Sequence, residues 1–300
     1  MSDWITARER GSALLINFMI RLCQRRHRWL ANLLLYPIAA YFFITGRTAH
    51  RASKHFFTLA KGQTRWSDYY HQLLCFSRCL VDRVTILIGD ADQFEVHPSG
   101  REALMEARQG GRGLIMLGSH LGSFEACKLL ARSRMDIDIH IVAYFAGSTK
   151  IRQALDAINP KLQQNFIDPT EPDAVFQMRD VIDNGGILAI LGDRTGIGEK
   201  QVAVNFMGEQ AWLPSGPYYL AAILHCPIFC FFGLRVDHCA YDTYAIKLAE
   251  HITLARGQRE QQAQVYAQQY ADLLADKARE YPYNWFNFYE FWNVETETKP

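Results

Sequence analysis

The chain has 300 residues, of which 49% are hydrophobic, so it can bury one large core. Its formal net charge is +1, which gives no reason to expect nucleic acid as a partner. None of the seven cysteines forms a C-x-x-C pair, and most lie among apolar residues. We therefore expect reduced core thiols in a protein of the cytosolic side, and no metal site.

The N-terminal part of the chain is cationic and partly apolar. Up to residue 65 the only acidic residues are Asp3 and Glu9, and arginine and lysine are in large excess. Residues 29–44 are the most apolar run, but about 16 residues fall short of the ~20 that span a bilayer. We expect an interfacial helix or helical hairpin in anionic lipid, with its basic flanks on phosphate head groups. The alternative is a buried core helix whose flanking arginines are solvated.

The rest of the chain alternates between the patterns of strands and helices. Apolar runs and alternations predict strands at 94–96, 114–117, 137–143, 165–168, 187–191, 201–206, 227–236 and 243–248. Helical periodicity predicts helices at 66–87, 99–108, 125–132, 149–158, 173–183, 214–225 and 257–280. This order predicts an α/β fold with a mixed, largely parallel central sheet flanked by helices. The expected organisation is a membrane-associated helical segment (1–60), an α/β domain (61–292) and a disordered polar tail (293–300).

One stretch, residues 113–125, carries the strongest functional signal. Its apolar half predicts a buried strand and its glycine-rich half predicts a tight turn into a helix. His120 then lies at the carboxyl end of a strand, where open α/β sheets place their ligands, and Glu125 lies in the first helical turn. A second pair with the same spacing is His97 and Glu102, but there the histidine is predicted to open a helix.

A histidine beside a carboxylate is suited to general-base catalysis. The carboxylate fixes the tautomer, and the other ring nitrogen can take a proton from an alcohol that attacks a thioester directly. The alternative is that His120 is a satisfied core histidine and Glu125 a solvated helix residue. Ser119 and Ser123 are more typical of turn caps than of nucleophiles. No G-x-S-x-G elbow is present, which disfavours a serine hydrolase.

Several ordered blocks resemble a known family. The sequence Gly-Ser-His-Leu-Gly-Ser-Phe-Glu at 118–125 resembles the H-x4-D/E motif of the glycerolipid and lipid A acyltransferase superfamily. The resemblance is closest to the bacterial branch that adds lauroyl or myristoyl chains to lipid A. It continues at 190–194, where a strand-end block carries Asp193, at 204–211 and 213–221, and at the closing Pro-x-x-Trp of 282–285.

This resemblance implies a membrane-associated O-acyltransferase on the cytoplasmic face of the inner membrane. The donor would be an acyl thioester of acyl carrier protein or coenzyme A, the acceptor a hydroxyl of a lipid or glycolipid, and no metal or prosthetic group would be needed. His120 would be the general base and Glu125 would orient it. The implied substrate-binding residues are Asp193, Arg194, Ser119 and Ser123. The alternative is an inactive relative that binds acyl chains or lipid, or acts as a scaffold in lipid biosynthesis.

The sequence departs from that branch at two basic positions. The arginine and asparagine usual after the helix that follows the third strand are replaced by the stretch 158–161, which includes Lys161. The basic cluster after the closing tryptophan is replaced by residues 286–292. We therefore expect an acceptor that is less phosphorylated than lipid A. The closing aromatics either pack onto the core or reach the site; they are Trp285, Phe286, Phe288, Tyr289, Phe291 and Trp292.

Overall fold

A computed structural model describes residues 13–25, 27–123, 138–143, 166–195 and 199–292. The helices in these ranges are α1 (Ala13–Gln24), α2 (Arg28–Thr45), α3 (Arg47–Lys61), α4 (Trp66–Leu87), α5 (Arg101–Ala107), α6 (Ala174–Asp183), α7 (Gly216–Leu224) and α8 (Arg259–Glu280). The strands are β1 (Glu95–Ser99), β2 (Leu114–Gly118), β3 (Ile139–Val142), β4 (Phe166–Ile167), β5 (Ile187–Leu191), β6 (Gln201–Phe206), β7 (Glu209–Pro214), β8 (Ile228–Asp237) and β9 (Ala240–Ala249).

Seven of these strands form one sheet in the order β1-β9-β8-β2-β5-β3-β4. All neighbours run parallel except β8 and β9, which are antiparallel. The prediction of a mixed, largely parallel sheet flanked by helices is therefore confirmed. Strands β2 and β5 are central neighbours, and Gly118 lies opposite Leu191 in their register. The carboxyl ends of β2 and β5 consequently meet at one edge of the sheet.

Strand β2 is buried on both faces of the sheet, which explains its unbroken apolar sequence. Its side chains alternate between two clusters. Ile115 and Leu117 face a large core that also takes side chains from α6, α7, α8 and the β6–β7 hairpin. Leu114 and Met116 face a smaller core with Leu104 of α5. This double coverage holds the end of β2 rigidly in place.

The N-terminal helices pack on the α/β body. Side chains of α1 and α2 share a cluster with α4 around Leu35 and Tyr69. At the start of α2, Arg28 Nη2 lies 2.5 Å from Oδ1 of the buried Asp82, whose Oδ2 accepts a hydrogen bond from Arg235 Nε of β8 at 3.0 Å. Because both arginines share one buried carboxylate, the beginning of α2 is fixed to the sheet.

The chain turns sharply between α2 and α3. Gly46 lies at this break, where a Cβ atom would stand 2.6 Å from both the Phe42 carbonyl oxygen and Tyr69 Oη, so only glycine fits. Helix α3 then carries Phe56 and Phe57 into the large core. No single helix in the described ranges is long and apolar enough to cross a membrane. The pair α2 and α3 passes that test together, but the two are bent by 93°.

Some predicted elements differ from the structure. His97 lies inside β1 rather than at a helix start, because β1 pairs in parallel with β9 and places His97 opposite Asp242. Helices α1 and α3 were expected only as part of the helical segment at 1–60, without separate bounds, and strand β7 was not predicted. The turn before β7 is made by Met207 and Gly208, both with positive φ, which is the pattern of a tight hairpin. The predicted helices at 125–132 and 149–158 lie outside the described residues.

Candidate active site

His120 lies two residues after the end of β2, and contacts with the backbone of Gly118 fix this strand end. The Gly118 carbonyl oxygen accepts hydrogen bonds from Tyr270 Oη of α8 at 2.7 Å and from the Gly192 N–H at 2.9 Å. Next to it, Ser119 Oγ accepts the Leu121 N–H at 3.2 Å and closes a short turn around His120. The histidine is therefore presented by a loop with little freedom to move.

Gly122 holds the other side of this loop against β8. Its φ of 83° belongs to the left-handed region, and a Cβ atom would lie 2.2 Å from the Gly233 carbonyl oxygen. That same oxygen accepts the Ser123 N–H at 2.7 Å. Any larger residue at position 122 would push the loop away from β8, so glycine is required here.

The closing segment, residues 282–292, binds the same loop from a third direction. The Gly122 N–H donates to the Asn284 carbonyl at 2.8 Å, and the Phe286 N–H donates to the His120 carbonyl at 2.8 Å. Between them, the Trp285 side chain is fully buried and stacks between Phe56 and Phe206. The aromatic anchor therefore keeps the segment pressed against the loop.

Asp193, which follows β5, is the carboxylate that contacts His120. Its Oδ1 lies 2.9 Å from His120 Nδ1, and its Oδ2 accepts the His120 backbone N–H at 2.8 Å. The Asp193 side chain is fully buried, whereas 27% of the His120 side chain is exposed. Within the described part of the chain, His120 Nε2 forms no hydrogen bond. The imidazole thus has one nitrogen held by a carboxylate and the other available.

The charges around the pair keep Asp193 ionised and His120 neutral near pH 7. Burial alone would raise the pKa of Asp193, but His120, Arg194 and Asn287 outweigh it and lower the pKa to about 2. Burial lowers the pKa of His120 and the Arg194 charge lowers it further, while Asp193 acts in the opposite direction. A neutral imidazole whose Nδ1–H donates to a carboxylate leaves Nε2 as a proton acceptor.

Asn287 joins Asp193 to Arg194. Its Nδ2 donates to Asp193 Oδ2 at 3.0 Å, and its Oδ1 accepts from Arg194 Nε at 2.9 Å. The guanidinium lies over the Tyr289 ring at 5.3 Å, and its Nη2 is 3.4 Å from the Phe286 carbonyl oxygen. The closing segment therefore provides three contacts that hold Arg194, from Asn287, Phe286 and Tyr289.

Only some of the predicted site residues lie together in the structure. The structure brings His120, Asp193 and Arg194 together, whereas Ser119 closes the turn and Ser123 binds β8 through its backbone. Glu125 lies outside the described residues, so its role in orienting His120 stays a prediction. Asn287 and Tyr270 were not singled out in the sequence. The only sequence signal for Asn287 is its position two residues after the closing Pro-x-x-Trp block.

The competing histidine, His97, is unsuited to act as a base. Its Nε2 lies 3.0 Å from Glu95 Oε1 and its Nδ1 lies 2.9 Å from Asp242 Oδ1. Both nitrogens are occupied by carboxylates, and these raise the pKa of the imidazole. With a carboxylate beside each ring nitrogen, His97 has no nitrogen left available to accept a proton from a substrate.

The closing aromatics mostly pack into the core. Trp285, Phe286, Phe291 and Trp292 are buried, and Phe288 contacts Phe76 of α4. Tyr289 differs because its ring contacts Arg194. Of the six closing aromatics, Tyr289 is thus the one whose ring lies against a side chain of the predicted site.

Within the described ranges, no three His, Cys, Asp or Glu side chains converge as metal ligands would.

In comparisons with known proteins, no family model matches the chain, and no curated protein matches it significantly. The acyltransferase interpretation of the sequence therefore stays a prediction that rests on its motifs.

Proposed function

We propose that the chain is a membrane-associated O-acyltransferase that moves a fatty acyl group from a thioester to a hydroxyl of a lipid or glycolipid. One observation carries this proposal. At the carboxyl end of β2, the neutral His120 imidazole has Nδ1 bonded to the buried, ionised Asp193, and Nε2 forms no hydrogen bond within the described residues. That is the arrangement of a general base whose tautomer and orientation are fixed.

The transfer needs no covalent intermediate on the protein. His120 Nε2 takes the proton of the acceptor hydroxyl as its oxygen attacks the thioester carbonyl carbon. The new C–O bond gives a tetrahedral oxyanion, which collapses with cleavage of the C–S bond. The leaving thiolate then takes the proton from the imidazolium, so that acyl ester and free thiol are formed and the base is restored. Asp193 stabilises the imidazolium between these two steps.

Arg194 is the candidate that holds the oxyanion. Its charge lies close enough to lower the pKa of His120. The contacts with Asn287, Phe286 and Tyr289 fix its guanidinium before any substrate binds. A preorganised cation next to the base costs little reorganisation when negative charge develops on the carbonyl oxygen.

The proposed membrane contact is the outer face of α2. Large apolar side chains recur there at helical spacing and are exposed, including Trp29, Leu33 and Ile44, while the opposite face packs on α4. The first residues of α3 add exposed Arg47 and Arg51. An exposed apolar face next to cationic side chains fits the interface of an anionic leaflet, with the helix lying in the surface. We place the protein on the cytoplasmic face of the inner membrane.

The donor is acyl carrier protein or coenzyme A thioester, and the acceptor is less phosphorylated than lipid A. A bis-phosphorylated sugar normally recruits several arginine or lysine side chains. Beside His120, the described residues supply Arg194, while Lys200 is exposed and Lys161 lies outside the described ranges. The Tyr289 ring against Arg194 favours an apolar or aromatic-bearing acceptor.

The direct test is His120→Ala in the purified full chain, assayed with both donor types and a panel of lipid acceptors. The loss should be about 10²–10⁴-fold, which is the usual contribution of a positioned general base. His97→Ala is the matched control and should keep full activity, because both of its nitrogens are occupied. Full activity in the His120 variant would exclude this mechanism. Donor and lipid binding without any transfer by the unsubstituted protein would indicate a lipid-binding relative instead.

A further inference from the structure

The amide of Asn287 occupies a place that few side chains could fill. It lies between a carboxylate and a guanidinium, donating to Asp193 Oδ2 at 3.0 Å and accepting from Arg194 Nε at 2.9 Å. It is buried, with 1% of the residue exposed, so water does not compete for these bonds. We propose that Asn287 is a positioning residue for His120, fixing Asp193 behind the imidazole and Arg194 beside it.

Only a side chain with both a donor and an acceptor satisfies the two neighbours at once. An aspartate would keep the acceptor for Arg194 but would place a second carboxylate against Asp193. An alanine would remove one of the two donors to Asp193 Oδ2, leaving the His120 backbone N–H, and would leave Arg194 Nε without this partner. The aspartate adds a charge near His120, and the alanine loosens the two charged groups already there, although Asn287 makes no hydrogen bond to the imidazole itself.

The chain offers a matched control three residues earlier. Asn284 is also buried and belongs to the same closing segment. Its Oδ1 accepts the Arg235 backbone N–H at 2.9 Å and its Nδ2 donates to the Arg235 carbonyl at 3.1 Å. Changes at Asn284 therefore loosen the segment without touching Asp193 or Arg194. They separate positioning of the site from support of the fold.

The effect of Asn287 on acyl transfer rests on the proposed function, whereas its effect on the titration of His120 does not. The titration of the imidazole is measurable without substrate, by NMR of the full chain labelled with ¹⁵N-histidine in mild detergent. The His120 resonance is assigned by its loss in His120→Gln. Failure of the proposed reaction and failure of the positioning are then separate results.

Asn287→Asp should move the His120 titration midpoint upward by about one pH unit, because a second carboxylate favours the imidazolium. Asn284→Asp should leave the midpoint where it is in the unsubstituted protein. In the transfer assay, Asn287→Asp should lower kcat by about 10- to 100-fold with little change in KM, because the base and the cation are misplaced.

Asn287→Ala covers the case in which the aspartate variant does not fold. It brings no charge, but it removes the hydrogen bond that holds Arg194 Nε in place, and the Arg194 charge lowers the pKa of His120. The midpoint should therefore also move upward, by less than in the aspartate variant. An unchanged midpoint in the folded variants of Asn287, or an equal shift in Asn284→Asp, would overturn the positioning. The expected shifts in a protein that transfers no acyl group would support the positioning and overturn the reaction.

Discussion

The exposed face of α2 gives a prediction about membrane binding whose size follows from the structure. Replacing Trp29, Leu33 and Ile44 together by serine removes three side chains that are 67%, 56% and 75% exposed. Full burial of such a side chain contributes about 1.5–3 kcal/mol. The exposed fractions leave about 1–2 kcal/mol for each of them when the face enters lipid, or about 3–6 kcal/mol together.

That free energy corresponds to a loss of about 10²- to 10⁴-fold in partitioning, since 1.4 kcal/mol is a factor of ten. The assay is sedimentation of the full chain with vesicles of phosphatidylcholine and phosphatidylglycerol. The matched control replaces Ile223 and Val265 by serine; these are 53% and 57% exposed but lie on α7 and α8. It should bind as well as the unsubstituted protein.

Salt separates the two contributions to this binding. Raising the ionic strength shortens the Debye length from ~8 Å at physiological salt and weakens the attraction of Arg47 and Arg51 to phosphate groups, whereas the apolar contribution remains. The triple variant should therefore lose binding at low and at high salt alike. Unchanged binding of the triple variant, or an equal loss in the control, would refute the assignment of α2 as the membrane-contacting face.

Two further predictions concern the site and the acceptor. Because the pKa of His120 is lowered, the acid limb of the rate profile should have its midpoint below the usual 6.5 of histidine. Asp193→Asn should move that midpoint further down, since Asp193 acts to raise the pKa of His120. It should also lower kcat by up to about 10⁴-fold, the effect known for a triad carboxylate replaced by an amide. An upward shift of the midpoint would contradict the charge assignment. In a strain lacking its own secondary acyltransferase, the protein should add no acyl chain to lipid A, and a heavier lipid A in mass spectra would contradict the expected acceptor.

The sequence predicted best those elements whose pattern is set locally. Strand β5 was predicted with its observed ends, because its unbroken apolar run is bounded by Gly186 and Gly192. Helix α4 likewise has strong periodicity over 22 residues and was predicted with its observed ends. Such segments carry their own boundaries in turn residues and in the spacing of apolar side chains.

The elements whose bounds were missed depend on distant partners. A strand was predicted at 94–96, but β1 continues to Ser99 through polar, mostly exposed residues because it pairs with β9, far along the chain. Helix α3 was expected only as part of a helical segment at 1–60; it is predominantly polar, and Phe56 and Phe57 are the large side chains that it buries. Neither pattern fixed the ends of its element before the pairing and the core were known.

The same distinction applies to the site. His120 follows an apolar strand, so the rule that ligands bind at the carboxyl ends of strands was enough to select it. Asp193 also follows an apolar strand, but it was selected through the resemblance of the block at 190–194 to the acyltransferase motif. Asn287 follows only a short turn of three residues, Pro282–Asn284, and is 94 residues from Asp193. No periodic pattern marks such a residue, and its amide gains its role only when the closing segment docks.

The docking of the closing segment has a consequence for protein synthesis. The ribosome has made β2 and His120 long before Asn287 exists, and at about 5–20 residues per second the delay is roughly 8–30 s. During that time the nascent chain already carries the apolar α2, but its histidine lacks the contact from Phe286, and neither Asp193 nor Arg194 has its Asn287 partner. A nascent chain therefore presents the exposed apolar face of α2 well before the contacts that surround His120 can form.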